Sequence, residues 1–557
     1  MTSLFKNELA GLSKEIDYKS KRTWFYLPYD QVTSKIGPLS RLPASQAGVI
    51  LIENAWKPSL RPYHKQKLAL ILANMRNFAL ELAGQGIAVE HMAVSGHYSQ
   101  ALKEMSKKYG QITMMEAAEY ELRGDLAGLQ ASGALQVVRH EGWLTELEDL
   151  KGVFKSGKFR MDAFYRHLRQ KTGILMEANK PIGGKYSFDS ENRLPWKGSP
   201  AAPSAPSFAP NAVTEEVGYL IEKYFADHPG KLNLETLPAT AQDAEKLWRF
   251  AKEECLPHFG PYEDAMSTQS SGLFHTRLSQ LLNIMRILPQ DILQEVLEMD
   301  IPLASKEGFI RQVIGWREYV RGMHALTDGF RNIKAVECRE KPGDAGYSKW
   351  LGRDFGNALC KEKSTGSLAP IDGGAAPNYL ASKEALPQAF WGTPSGLNCL
   401  DVVVKDVMEE AYSHHITRLM ILSNLATLLD IEPRELTDWF WVAYSDAYDW
   451  VVEPNVLAMG TFALGELMTT KPYVSGAAYI NKMSDYCKGC RFDPAKNCPV
   501  TRLYWAFLDR KADKLKGNQR MMMPLNSLKK RSEAEKEKDR ALFQKVKTRL
   551  SQGLELD

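Results

Sequence analysis

The sequence contains no apolar run that approaches the ~20 residues a membrane-spanning helix requires. Its first residues, TSLFKNELAGLSKEID after Met1, are polar and do not resemble a hydrophobic targeting segment. A charge bias is also missing, because 71 Lys and Arg residues against 67 Asp and Glu residues leave a net charge of only +4. The small net charge excludes a general electrostatic attraction to polyanions, but it does not exclude a local basic patch. We predict a cytoplasmic protein with no membrane partner, and a monomer.

Cysteine is scarce, with seven residues in a chain of 557. Cytoplasmic thiols stay reduced, so clustered cysteines indicate metal binding or redox chemistry rather than disulfides. The segment YCKGCRFDPAKNCPV groups Cys487, Cys490 and Cys498, with a proline after the last, as iron–sulfur proteins do. A fourth ligand must come from elsewhere, and Cys399, at a predicted helix start, is the best candidate. Structural zinc is the alternative metal for these four thiols. The other three cysteines stand alone and are interpreted as packing residues: Cys255, Cys338 and Cys360.

The chain is too long for one hydrophobic core, and its composition is that of a globular protein. Residues 1–140 alternate short apolar runs, such as VILIENAW, with helical stretches, which predicts a parallel α/β sheet. Residues 141–235 read as an interdomain linker that contains a glycine-rich loop and the flexible SPAAPSAPSFAP. Apolar positions at three and four spacing predict a mostly α-helical domain over 236–557. A glycine-rich insertion interrupts it at about 323–388.

Two polar motifs of the helical half stand out. In LFHTRLSQLLN, the side chains of His275, Thr276, Ser279 and Asn283 follow one another along a predicted helix start, where hydroxyls and free backbone donors suit a pyrophosphate. The alternative is an ordinary amphipathic helix with polar caps. In AYSHHITRLM, two adjacent histidines would point about 100° apart on a helix, so at most one can face a given pocket.

Together these segments resemble the cryptochrome/photolyase family, in the bacterial iron–sulfur branch that includes prokaryotic (6-4) photolyases. The resemblance is carried by MEANKPIGGKYSFDSENR at 176–193, LFHTRLSQLLN at 273–283, FIRQVIGWREYVRG at 309–322, AYSHHITRLM at 411–420, YSDAYDWVVEPN at 444–455 and the cysteine loop. It implies an α/β antenna domain followed by a mostly α-helical catalytic domain that binds FAD. It also implies that the four cysteines hold a 4Fe-4S cluster.

The resemblance implies a set of flavin contacts. Arg418 and Asp446 match a flavin-side ion pair, and the following residues match other parts of the cofactor site: His275, Thr276, Leu278, Ser279, Asn283 and Trp316. Trp439 and Trp391 match the electron chain that photoreduces the flavin, and Phe440 stands where relatives carry a tyrosine. Packing in a core is the alternative for each tryptophan.

One position departs from the family. Val452 stands where many relatives place a polar or acidic side chain facing flavin N5, and valine cannot form that hydrogen bond. Glu453, the next residue, compensates only if the backbone shifts. This departure puts the redox cycle of the flavin in doubt, though not its binding.

For the substrate, the resemblance implies that His415 donates a proton to a (6-4) pyrimidine photoproduct after an electron leaves excited reduced FAD. The other residues matched to the lesion pocket are His414, Tyr473, Tyr479, Asp189, Arg193 and Asp264. In the α/β domain, Asp30 and Glu53 lie at or just after predicted strand ends, where small ligands bind in parallel sheets. The antenna that the resemblance implies is 6,7-dimethyl-8-ribityllumazine. Either carboxylate could instead cap a turn.

The leading hypothesis is therefore a light-driven repair enzyme whose partner is UV-damaged DNA. The alternative is a cryptochrome photoreceptor of the same fold without repair activity, which Val452 and the insertion favour. His415, Tyr473 and Tyr479 favour repair. A light-independent iron–sulfur DNA-binding protein would require that FAD be absent.

Overall fold

The computed structural model describes residues 3–18, 20–154, 159–334, 336–339 and 373–557. Its N-terminal part is built on a five-stranded sheet: β1 (Thr23–Tyr26), β2 (Ala47–Asn54), β3 (Ala88–Val94), β4 (Ile112–Met115) and β5 (Leu135–Val138). The strands lie in the order β3-β2-β1-β4-β5, and every neighbouring pair is parallel. The sheet and the helical remainder confirm the predicted fold class.

Helices connect the strands and pack on the sheet because their buried faces carry apolar side chains. Those of this part are Leu4–Leu12, Trp56–Leu60, Lys65–Gly84, Tyr98–Tyr109 and Tyr120–Ala131. The long helix Lys65–Gly84 is capped by His64, whose Nδ1 accepts a hydrogen bond from the amide of Gln66 at 3.0 Å.

The middle of the chain is irregular, as expected. It contains the helices Leu147–Val153 and Met161–Thr172 and a small antiparallel pair, β6 (Met176–Glu177) with β7 (Lys180–Pro181). Residues 199–210, all of them described, form neither helix nor strand. The helix Ala212–Tyr224 then returns to pack on Lys65–Gly84.

Helices make up most of the remainder. Up to the insertion they are Ala241–Phe250, Leu256–Phe259, Ser279–Leu282, Pro289–Glu298, Leu303–Ile310 and Glu318–Thr327. After it they are Asn398–Glu410, His415–Thr417, Asn424–Leu428, Pro433–Ala443, Asp449–Val452, Ala477–Met483, Pro499–Leu515, Met522–Lys529 and Glu533–Ser551. Turns of π-helix extend four of them, at Ala251–Cys255, Arg311–Arg317, Arg418–Ser423 and Glu453–Gly460.

The predicted insertion has an ordered base. The strands β8 (Cys338–Arg339) and β9 (Gly374–Ala375) pair antiparallel and bring its two ends together. Its middle, including Cys360, lies outside the described residues, so that part of the prediction stays untested. None of the helices that the structure describes is both long and apolar enough to cross a bilayer.

Candidate active site

A buried ion pair forms the floor of the site. Arg418 donates two hydrogen bonds to the carboxylate of Asp446, both 3.0 Å long. The Ser279 hydroxyl donates to the same carboxylate at 2.6 Å, and the Asn283 amide donates to the Asp446 carbonyl at 2.8 Å. Burial opposes ionisation, but the charge of Arg418 and these hydrogen bonds lower the pKa of Asp446. Four residues predicted to lie at the flavin are therefore brought together as one charged unit.

The segment before this pair differs from the prediction. Helix begins only at Ser279, so His275 and Thr276 lie on a preceding turn and not on a helix start. The reason is that Leu273 and Arg277 adopt positive φ angles of 42° and 56°, which a helix does not allow. The Arg277 side chain donates a hydrogen bond to Glu410 at 2.6 Å.

The turn offers backbone donors to a ligand. The amides of Thr276, Leu278 and Ser279 donate no hydrogen bond to any described part of the chain. Leu278 itself is buried, while Thr276 and Ser279 are half-buried. Successive unpartnered N–H groups form a concavity that suits a phosphate anion.

Three imidazoles lie above the ion pair. The rings of His275 and His414 stack at 4.4 Å with an angle of 10°, and His415 meets His275 edge-on at 5.2 Å. One nitrogen from each lies within 4.8 Å of the others. A metal ion must lie in the plane of each imidazole that binds it, and two parallel stacked rings share no such position. The stack therefore does not form a three-histidine metal site.

The two neighbouring histidines have opposite environments. His414 is buried, and burial together with the nearby His275 holds its pKa well below the usual range. Burial likewise lowers the pKa of His275. The side chain of His415, by contrast, is 44% exposed, and its Nε2 lies 3.6 Å from Asp264 Oδ1. Only His415 is placed to exchange a proton with a ligand in solution.

A rim of polar and aromatic residues surrounds His415. Asp264 Oδ2 lies 3.7 Å from Arg193 Nε, and Arg193 also pairs with Asp189. Burial, followed by the charge of Asp264, raises the pKa of Tyr479. Burial, followed by the charge of Asp189, likewise raises the pKa of Tyr473, and Arg193 opposes this shift. The residues that the sequence assigned to a lesion pocket are therefore neighbours in space.

The predicted tryptophan relay is also contiguous. Trp439 is fully buried, and its ring lies 6.4 Å from that of the half-buried Trp391. Phe440 stacks on Tyr444 at 5.0 Å, and Arg418 lies 4.2 Å from the Tyr444 ring. Trp316 is half-buried and packs edge-on against Tyr319 at 6.0 Å.

Glu453 cannot replace the side chain missing at Val452. Val452 is buried at the end of the helix Asp449–Val452. Glu453 is bound on one side by Arg434, at 2.6 Å, and on the other by His324, at 3.0 Å. Burial opposes these partners, but they lower the pKa of Glu453 to about 2. The carboxylate therefore stays charged and fixed where it is.

Glu53 and Asp30, the two carboxylates predicted to bind the antenna, have different surroundings. Both oxygens of Glu53 are used, by Arg76 at 2.6 and 2.8 Å and by His91 at 3.0 Å. Asp30 Oδ1, however, is buried without a partner among the described residues, and burial raises the pKa of Asp30 to about 7 despite the pull of Lys57.

The residues around Asp30 were not predicted from the sequence. The hydroxyls of Tyr26 and Tyr448 are buried without a described partner, and both interact electrostatically with Asp30. Tyr448 belongs to the helical half of the chain. The three residues form a buried polar cluster, and Tyr448 joins it from 418 residues further along the chain.

The four predicted cysteines converge. Cys399 is buried at the start of the helix Asn398–Glu410, and burial together with Cys498, Cys487 and Cys490 raises its pKa. Within the described residues, no three of these thiols lie within 4.8 Å of one another. The thiols that the sequence assigned to a metal centre are nevertheless neighbours in space.

The sequence and fold have clear relatives. A family model described as "Deoxyribodipyrimidine photo-lyase-related protein" matches residues 25–236. The (6-4) photolyase of Agrobacterium fabrum is 33% identical over 524 residues, which cover 89% of this chain and 93% of that protein.

Two solved structures align with nearly the whole chain. A cryptochrome from Synechocystis sp. PCC6803 covers 94% of this chain and 95% of its own, at 13% identity and a TM-score of 0.51. A bacterial class III photolyase from Agrobacterium tumefaciens covers 96% and 100%, at 14% identity and a TM-score of 0.49. The full-length similarity to the A. fabrum enzyme establishes that this chain belongs to the cryptochrome/photolyase family, in its bacterial (6-4) branch.

Proposed function

We propose that this protein is a light-driven repair flavoenzyme that acts on (6-4) pyrimidine photoproducts in UV-damaged DNA, with His415 as the proton donor. The proposal rests on the similarity to a (6-4) photolyase and on one observation. His415 is the exposed histidine of the cluster, and it lies over two buried neutral imidazoles and 3.6 Å from a carboxylate. That arrangement suits a general acid at the mouth of a pocket.

FAD is the cofactor that the family implies, and the residues present fit it. The unpartnered amides of Thr276, Leu278 and Ser279 would hold its pyrophosphate. Arg418, fixed by Asp446, would stabilise negative charge on the reduced ring. When bound and reduced, FAD supplies under blue light the electron that initiates opening of the lesion.

The protein's own groups then bind the substrate and move a proton. Arg193 at the rim carries a charge for a DNA phosphate, and the faces of Tyr473 and Tyr479 replace the stacking that an extruded dinucleotide loses. Asp264, 3.6 Å from His415 Nε2, would orient the imidazole that donates the proton. The buried His414 supports this ring from below and takes no part in the transfer.

The remaining groups belong to the same proposal. A 4Fe-4S cluster on Cys399, Cys487, Cys490 and Cys498 would tie the cysteine loop to its neighbouring helix. A lumazine antenna would bind at Asp30, whose free oxygen and neighbouring tyrosine hydroxyls fit a polar heterocycle. Glu53 is left out of that site because Arg76 and His91 occupy it.

The proposal also keeps the predicted domain division of 1–140, 141–235 and 236–557, and a cytoplasmic monomer.

A blue-light receptor is the second candidate. The observation that favours it is the apolar Val452 at the predicted flavin N5 position, with Glu453 unable to substitute. A flavin without that hydrogen bond has altered proton chemistry, which suits signalling as well as repair.

The proton-donor assignment is tested with His415→Asn and a matched control, His167→Asn. His167 is also an exposed histidine, 40% exposed, with its Nε2 3.6 Å from an aspartate, Asp149. Reduced protein saturated with a lesion-bearing oligonucleotide is illuminated, and restored thymines are counted by chromatography. We expect His415→Asn to lower the repair rate by roughly 10²–10⁴-fold, the usual contribution of a general acid, with lesion binding retained. An unchanged rate in His415→Asn would refute the assignment, and His167→Asn is expected to repair normally.

A further inference from the structure

One carboxylate joins the cysteine loop to the wall of the active site. Asp485 lies two residues before Cys487 and just after the helix Ala477–Met483, which carries Tyr479. Its oxygens accept hydrogen bonds from the Thr268 amide at 2.8 Å, the Thr268 hydroxyl at 2.9 Å and the Ser267 hydroxyl at 3.2 Å. One side chain of the loop thus holds two consecutive residues of another segment.

That other segment, residues 263–271, faces the proposed substrate. It carries Asp264, which contacts both His415 and Arg193. In addition to Asp485, it is joined to the cysteine side by a backbone hydrogen bond from Met266 to the Met483 carbonyl, 2.9 Å long. Asp264 lies three residues before Ser267. Because this stretch is short, greater mobility of Ser267 and Thr268 would also displace Asp264.

The cysteine loop is tied on its other side to the fourth cysteine. The side-chain amide of Asn398, next to Cys399, donates to the Tyr486 carbonyl at 2.8 Å. Tyr486 is buried and immediately follows Asp485. A continuous path of hydrogen bonds and short chain therefore runs from Asn398 through Tyr486 and Asp485 to residues 263–271.

We infer that Asp485 is a positioning residue that transmits the order of the cysteine loop to residues 263–271, and through Asp264 to His415. This inference rests on the proposed function for its consequence in repair, but its structural content does not. Binding of a cluster by the four cysteines would fix the loop, and Asp485 would extend that order to the substrate side. Loss of the cluster would then increase the mobility of the His415–Asp264 pair, although other residues bind the cluster.

The structural content is tested by amide hydrogen exchange in the full-length protein. Asp485→Ala and Asp485→Asn are compared with Asp493→Asn, which removes a carboxylate of the same loop. The described partners of the Asp493 carboxylate all lie within that loop: the amides of Ala495 and Lys496, and the Lys496 ammonium at 3.9 Å. Absorption of flavin and cluster verifies folding of every variant. We expect severalfold faster exchange over 263–271 in Asp485→Ala, a smaller increase in Asp485→Asn, which keeps one acceptor oxygen, and none in Asp493→Asn.

Removal of the cluster from wild-type protein with an oxidant and a chelator should give the same increase over 263–271. Unchanged exchange there, either in Asp485→Ala or after cluster removal, overturns the inference, and so does an equal increase in Asp493→Asn. If Asp485→Ala loses its cofactors, Asp485→Asn decides by the same comparison.

The consequence for catalysis is measured separately, by comparing the repair rate at saturating lesion concentration with the affinity for the lesion. Asp485→Ala should lower the saturated rate severalfold, with partial rescue in Asp485→Asn. If wild-type protein repairs nothing while the exchange pattern holds, the proposed function fails and the Asp485 link stands. If repair occurs but is equal in wild type and Asp485→Ala, the positioning role is refuted.

Discussion

His414 and His415 are neighbours in the chain and have the same side chain, but one is buried and neutral and the other is exposed beside a carboxylate. Their order in the sequence predicted that at most one could face a pocket. It did not identify which, because the answer depends on the His275 ring that stacks on His414 from more than 130 residues away. Chemistry at this site is therefore assigned by tertiary environment.

Asp30 and Glu53 illustrate the same limit. Asp30 follows β1 and Glu53 is the penultimate residue of β2, and both were predicted to contact an antenna. Arg76, on the helix Lys65–Gly84, reaches Glu53 and leaves it no free oxygen, whereas no described residue reaches Asp30 Oδ1. A partner of this kind depends on how the helix packs on the sheet, which a single sequence does not reveal.

The Glu53–Arg76 pair predicts a pH-dependent contribution to stability. Burial opposes the charge, but hydrogen bonds from Arg76 and His91 lower the pKa of Glu53 from 4.5 to about 2. Because the folded-state pKa lies below the unfolded value, the stabilisation is fully present above pH 4.5 and is lost as pH falls towards 2. Glu53→Gln should cost roughly 3 kcal/mol at pH 7, since Arg76 loses its bidentate partner and keeps only the Glu216 carboxylate, 3.7 Å away.

Urea unfolding followed by circular dichroism measures this cost at pH 7 and pH 3. The difference in free energy of unfolding between wild type and Glu53→Gln should be smaller at pH 3 than at pH 7. Glu104→Gln is the control, because Glu104 pairs with Lys107 at the surface, 2.7 Å away, and its loss should cost at most about 1 kcal/mol. A cost for Glu53→Gln no larger than the control's would contradict the role assigned to the buried pair.

Among the secondary-structure elements, the spacing of apolar residues was sufficient to predict the regular helices and strands. It predicted the parallel strands, the helix after His64 and the helix start at Cys399. It failed at LFHTRLSQLLN, where apolar spacing suggested continuous helix but Leu273 and Arg277 take positive φ angles. The Arg277 side chain here bonds to Glu410, 133 residues away, a tertiary contact that no local pattern encodes.

The aromatic elements around Trp439 predict a defined route for electrons to the flavin. Trp439→Phe should abolish most photoreduction of oxidised FAD under blue light with an external reductant, because phenylalanine is a much poorer hopping site than indole. Trp505→Phe is the control. Trp505 lies on the helix Pro499–Leu515, where it contacts Tyr504 and Arg531 and lies outside the relay. Equal photoreduction rates in wild type and Trp439→Phe, followed by flavin absorbance, would exclude this route.

Across the whole molecule, the two halves of the chain are joined by buried polar contacts. Lys67, from the α/β half, donates to the carbonyls of Trp441 and Ala447, and the Tyr120 amide donates to Asp449 at 2.7 Å. The sequence predicted both halves and their order. It did not predict that Tyr448 would join Asp30 in a buried polar cluster, because the two residues meet only once the halves are assembled.

The central claim, light-driven repair of (6-4) photoproducts, concerns the molecule as a whole. Its most direct measurement is illumination of the reduced wild-type protein with two oligonucleotides, one carrying a single (6-4) photoproduct and one a single cyclobutane dimer, followed by chromatography. We expect restored thymines from the (6-4) oligonucleotide under blue light and none in the dark, with little or no restoration of the cyclobutane dimer. Protein that retains its flavin, becomes reduced and restores neither lesion would contradict the claim and identify a light receptor instead.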